Sequence, residues 1–221
     1  MLEQFPSHIS RLNFGRRLEP QGDVVIHGAG QDPGAFKQYF GAVGERKPTL
    51  YMTYVTLKRD MPAYFRWLKQ ELDAYFPSVL VPQIGLHLAG DALDERPEPH
   101  YEHEVAQGRL DEQIHAFCEG LRTLQRPAYI RIGFEFNGPW NGYEPEAYKA
   151  AWQRIVTALR EHHLDEVAAV WCYFPLPGSR EHERALIAII WRTTQEMNMS
   201  IGGRLTCLAQ KNSQGTIRSC F

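Results

Sequence analysis

The sequence predicts an α/β fold of the (β/α)8 TIM-barrel kind, incomplete, with about five to six βα units in its 221 residues. Three observations predict it. Short apolar strands alternate with amphipathic helices, the pattern of a parallel sheet covered by helices. Residues able to do chemistry fall at the C-terminal ends of those strands, where a barrel keeps its active site. The glycine turn closing the first strand, His27-Gly28-Ala29-Gly30, lacks the G-x-G-x-x-G spacing of a dinucleotide-binding open sheet. A closed barrel takes about 250 residues and eight strands, and five strands are evident here.

The elements follow in order. DVVIHGAG (23–30) is an apolar strand ending in that glycine turn, and PGAFKQYFGAVG (33–44) is a short helix opened by Pro33. TLYMTYVTL (49–57) is a second strand. PAYFRWLKQELDAYF (62–76) follows it with Tyr64, Phe65, Leu68, Leu72 and Phe76 at helical spacing. SVLVPQIGLHL (78–88) is a third strand, interrupted by Pro82. A polar loop from Ala89 to about Glu104 leads to a helix over 110–124 with Ile114, Phe117, Leu121 and Leu124 on one face. PAYIRIGFEF (127–136) is the fourth strand, a helix with Pro145 in its first turn covers 145–162, and VAAVWCYF (167–174) is the fifth strand. Trp67 and Trp152 lie in helices and read as core. Residues 1–21 form an N-terminal extension, 22–184 the barrel body, and 185–221 a tail that loses the strand and turn rhythm.

Composition narrows the function. A 43% apolar, 23% charged chain with net charge −2 and a pI near 6.5 has no basic field or Lys/Arg run to follow a phosphate backbone, so nucleic acid is not an expected partner. No apolar stretch approaches the roughly 20 residues of a membrane span. The start lacks the apolar core of a signal peptide, which as written keeps the chain in the cytosol. Cys118, Cys172, Cys207 and Cys220 show no paired spacing, so neither a zinc site nor a disulfide framework is expected. His100, His103, His162 and His163 lie in charged stretches and give no metal set, and no cofactor is implied. The 12% aromatic content carries more weight, because sugar rings stack their apolar faces on flat aromatic surfaces.

RIGFEFNGPWNGY (131–143) is the most informative run. Strand alternation puts Tyr129, Arg131, Gly133 and Glu135 on one face and Ile130, Ile132, Phe134 and Phe136 on the other. A carboxylate, Glu135, is thereby aimed at the mouth of the strand, beside Arg131, the amide of Asn137 and the indole of Trp140. Trp140, Tyr143, Trp171 and Tyr173 are candidate stacking platforms, with Trp140 foremost. His27 and His87, at predicted strand ends, are placed to hydrogen-bond sugar hydroxyls.

These residues resemble the glycoside hydrolases of family 26, the β-mannanases and their lichenase and β-1,3-xylanase relatives. The resemblance rests on RIGFEFNGPWNGY followed by YKAAWQRI, on the HGAG turn, and on the GLHLAG and WCYFP strand ends, and it covers residues 22–184. It implies a retaining enzyme on a (β/α)8 barrel that cleaves β-linked poly- or oligosaccharide, mannan first, with Glu135 as general acid/base. Many members carry His directly before this Glu, where this chain has Phe134. Retention needs a second carboxyl about 5 to 5.5 Å from the first, which in the family sits at the end of the seventh strand. Glu181 and Glu183 are the nearest carboxylates in sequence and read as solvated. Members are often extracellular. Two other classes are open to the same residues: a carbohydrate-binding pseudoenzyme, and a metal-dependent hydrolase using His27, His87 and Glu135.

The tail reads as a frame-shifted translation. Codons for residues 197–209, read from the third base, can spell EYVDWWSIDLFS, a good sixth strand of such a barrel. On that reading the chain as written lacks the nucleophile and is inactive. Its unpaired apolar edge then favours non-specific self-association.

Overall fold

The computed structural model describes residues 26–88, 101–136, 138 and 141–172. The extension 1–21, the tail 185–221, and the expected site residues Asn137, Trp140 and Tyr173, with Glu181 and Glu183, lie outside the described residues.

Five strands, β1 (Gly28–Gly30), β2 (Leu50–Thr56), β3 (Val81–His87), β4 (Ala128–Ile132) and β5 (Val167–Val170), form one parallel sheet in the order β1-β2-β3-β4-β5. Between them run α1 (Pro33–Ala42), α2 (Met61–Asp73), α3 (Tyr101–Ala106), α4 (Asp111–Leu124) and α5 (Pro145–Glu161). Three helices open the same way. An acid at the N-cap accepts backbone N–H groups, and a proline occupies the first turn: Asp32 to Ala35 N at 2.6 Å, Asp60 to Ala63 N at 3.0 Å, Glu144 to Ala147 N at 2.7 Å. The two N–H groups on Glu144 hold its carboxyl below the usual carboxylate range.

Alternation along the strands separates two faces. Tyr51, Val55, Ile84, Leu86, Ile130 and Ile132 join one large core with Phe36 of α1, Phe65 of α2, Val105 of α3, Phe117 of α4 and Trp152 of α5. The opposite face carries a small cluster of Leu50, Val81 and Tyr129, with no helical residue among the described residues in it. The described helices thus cover one side of an unreversed sheet. The order is that of a singly wound α/β layer, compatible with a partial barrel.

Some expectations change. β3 runs straight through Pro82: Val81 N donates to Thr49 O on the β2 side, so the N–H that Pro82 lacks would face β4, whose pairing begins only at Gln83 with Tyr129. The loop before α4 contains the short α3, held by the buried Glu102 and Val105 where it packs on α5. α2 stops at Asp73, which leaves Phe76 80% exposed, and Trp67, expected in the core, is 38% exposed; Trp152 is buried. β1 is shorter than its sequence pattern and begins only after His27.

α2 and α4 touch through Gly120, where an added Cβ would stand 1.9 Å from the Phe65 ring, itself edged by Tyr64 and Phe117. Gly120→Ala is therefore expected to cost about 1–3 kcal/mol despite alanine's better helix propensity. The check is a lower urea midpoint at unchanged slope; an unchanged midpoint would mean that Phe65 yields.

Candidate active site

The C-terminal ends of β2, β3 and β4 converge. Register sets Tyr54 beside Gly85 and Arg131, and Thr56 beside His87, on the face away from the helices. Gly85 carries no Cβ, which would stand 2.5 Å from the Tyr54 ring and 3.1 Å from that of Phe134, so both rings lie over the bare backbone. They meet edge to face at 5.0 Å, and His87 stacks on Phe134 at 5.4 Å. The Arg131 guanidinium, 4% exposed, sits over both rings at 5.2 and 5.3 Å and donates to the Met52 sulfur at 3.3 Å. Its Nε–H has no acceptor among the described residues. The result is a cation on an aromatic wall, a surface suited to a polar ligand with an apolar face.

Glu135 stands three residues past the end of β4, and the chain turns sharply to place it. Gly133 and Glu135 both have left-handed backbones, φ 54° and 53°. The strand ends at Ile132, and these two residues break the alternation expected to run on to Phe136. Phe134 accordingly lies on the inner wall with Arg131 and His87, opposite to its expected face. Phe136 lies on the helix side, stacked on Tyr148 at 5.1 Å and edge-on to Trp171 at 5.3 Å. Gly133 N–H still donates to Leu86 O at 2.8 Å, and Phe136 N–H reaches Cys172 O at 3.4 Å, so the turn is tied to β3 and to the end of β5.

Asn141, 7% exposed, closes the turn from the far side. Its Nδ2 donates to Phe134 O and to Glu135 O, both at 2.9 Å, and its Oδ1 lies 3.3 Å from His87 Nε2. Beneath it, the Tyr148 hydroxyl donates to Ile132 O at 2.8 Å, and the Tyr143 hydroxyl accepts the Leu88 N–H at 3.1 Å while its ring stacks on Tyr148 at 5.4 Å. Burial, and the nearby Glu102 charge, push the Tyr143 hydroxyl upward against the Leu88 N–H, so it is a neutral hydroxyl. Glu102 is fully buried and its carboxyl accepts the Glu144 N–H at 3.1 Å, at the N-terminus of α5.

Of the residues picked from the sequence, the structure brings Glu135, Arg131 and His87 to one rim. Tyr143 and Trp171 support that rim from behind: Trp171 is 8% exposed, packed against Trp152 and Tyr148, and one face of the partly buried Tyr143 ring is taken by Tyr148. His27 is at the other end of the sheet. It precedes β1, accepts the Thr49 and Leu50 N–H groups at its carbonyl, and its ring meets Tyr39 and the Arg46 carbonyl. By register it is level with Thr49 and Leu80, so roughly 20 Å of strand at about 3.3 Å per residue separates it from the level of His87. A metal set of His27, His87 and Glu135 is therefore not assembled. Sequence reasoning missed Tyr54, Phe134 and Asn141. The alternation of β2 would have found Tyr54, and the Asn-Gly pair at 141–142 is a turn signal that marks Asn141.

No family model matches the chain. It is 26% identical over 165 residues to the β-1,3-xylanase TXYA of Vibrio sp, covering 71% of this chain and 33% of that protein. It is 34% identical over 68 residues to a β-1,3-xylanase of Alcaligenes sp, covering 30% of this chain and 14% of that one. The chain spans about a third or less of the length of these relatives. Its distant homologues are thus glycoside hydrolases acting on a β-linked polysaccharide.

Proposed function

We propose that this chain is part of a β-1,3-xylan-cleaving glycoside hydrolase, with Glu135 as its general acid/base. The observation that carries the reading is the rim itself: one carboxylate residue on a braced left-handed turn at a strand end, beside a ring-packed guanidinium and an imidazole. Sugar hydroxyls need such polar donors and acceptors, and the pyranose face needs the rings. Strand order without reversal and helices on one side support reading the sheet as five strands of a (β/α)8 barrel. The resemblance to family 26 pointed to mannan first; both relatives are named for β-1,3-linked xylan, and that polymer takes its place. The carboxylate that attacks the anomeric carbon belongs, on this reading, to a later strand, about 5 to 5.5 Å from Glu135.

The test is polysaccharide turnover by the intact protein. Oligosaccharides should be released from β-1,3-xylan faster than from β-1,4-mannan or mixed-linkage glucan. Preference for mannan would overturn the substrate. Saturable xylan binding with no turnover would replace the hydrolase by a carbohydrate-binding pseudoenzyme.

A further inference from the structure

Glu135 occupies a backbone conformation that costs a non-glycine residue on the order of 1 kcal/mol or more, and it persists only if its surroundings hold it there. Two donors converge on its carbonyl: Gly138 N–H at 2.8 Å and Asn141 Nδ2 at 2.9 Å. The second Nδ2 hydrogen goes to Phe134 O, and Asn141 N–H itself donates to Gly138 O at 3.0 Å. Carbonyl oxygens only accept, so the Asn141 amide can sit in one orientation, nitrogen toward the two carbonyls and oxygen toward His87. An amide oxygen also only accepts. His87 Nε2, 3.3 Å away, therefore has to carry the hydrogen.

We propose that Asn141 is the positioning residue of this site: one amide fixes both the left-handed turn that presents Glu135 and the Nε2–H tautomer of His87. The inference rests on the reading of Glu135 as acid/base for its catalytic half, and on geometry alone for the histidine half. It ties the end of β3 to the turn after β4 through a single side chain, so the two groups keep a common frame.

Two measurements test it. In protein labelled with 15N-histidine, His87 is expected to show a protonated Nε2 and an unprotonated Nδ1 when neutral. That pattern should persist in Asn141→Asp, which keeps the acceptor, and give way to a tautomer mixture in Asn141→Ala. In the intact enzyme, Asn141→Asp removes both donors to the turn and is expected to lower kcat by about 10²-fold, as for a misplaced catalytic group, with KM shifted less than threefold. The loss should be larger on the polymer than on aryl glycosides with acidic leaving groups, and Asn141→Asp added to Glu135→Gln should cost little beyond Glu135→Gln alone. Wild-type His87 protonated at Nδ1 overturns the histidine half. An N141D loss that is uniform over leaving groups and multiplies with that of E135Q overturns the catalytic half, and leaves Asn141 as a stability residue. If E135Q itself shows no leaving-group dependence, the acid reading of Glu135 fails, while the His87 spectrum still decides the other half.

Discussion

Glu135→Gln in the intact enzyme should lower the rate of β-1,3-xylan cleavage by about 10²- to 10⁴-fold, the range for losing a general acid, while substrate affinity stays nearly constant. Glutamine keeps the size and much of the hydrogen bonding of the side chain but cannot deliver a proton to the departing glycosidic oxygen. The substitution also leaves the backbone turn alone, because Asn141 and Gly138 grip the Glu135 carbonyl rather than its side chain. The decisive feature is the dependence on leaving group. An aryl glycoside with an acidic phenol departs with little protonation, so its glycosylation step should be hurt far less than that of the polymer. Equal losses on both, measured where glycosylation limits, would mean that Glu135 does not act as the acid.

The second large effect is on stability. Gly133→Ala is expected to destabilise the protein by about 3 kcal/mol, made of about 1–2 for a Cβ in a left-handed backbone and a similar amount for overpacking. The added Cβ would stand 2.5 Å from Tyr148 Cε2 and 3.2 Å from Leu88 Cδ1. Tyr148 has no easy retreat. Its hydroxyl is spent on Ile132 O, and its ring is stacked between Phe136 and Tyr143. For a protein of this size each kcal/mol moves the melting temperature by roughly 2–4 °C, so a fall of about 10 °C is the expected reading. Gly41→Ala, in α1 with nothing within 4 Å of the added carbon, is the control and should be neutral or slightly stabilising. A Gly133→Ala variant that melts with the control would mean that the turn relaxes to an ordinary conformation, and would weaken the case for Glu135 as a held group.

Much of this architecture is legible because single-residue chemistry dominates it locally. The alternation in 49–57 is a real two-faced strand, Leu50, Met52, Tyr54 and Thr56 against Tyr51, Thr53 and Val55. Acid-plus-proline openings mark α1, α2 and α5 because both residue types answer the same unmet N–H groups. What the sequence hides depends on neighbours. Pro82 looks like a strand breaker until the start of β4 shows that its missing donor faces no partner. His27 looks like a rim residue until the register puts it at the opposite end, an error of direction along a strand that alternation cannot reveal. Glu135 lies three residues past the end of β4, and the period-two count fails between them. Two positive φ angles inverted the faces of Phe134 and ended the strand early. Asn141 has no signature beyond a turn dipeptide, because its role comes from three groups that only the fold collects.

Strand order has a consequence for how the protein is made. Among the described residues each strand bonds only to the strands that come just before and just after it in the chain. A ribosome releasing residues N-terminus first, at about 5–20 per second, delivers each of β2 to β5 next to the strand it pairs with, and in the proposed barrel only closure, β1 against a later strand, waits for a distant mate. Contacts of short sequence separation also form quickly. Until closure the sheet has two open edges, β1 and the newest strand, and the free N–H and C=O groups of the newest strand can recruit another chain. Translational pausing just after a strand has emerged, before its successor covers it, is thus the moment at which nascent copies on one polysome are most exposed to pairing with each other.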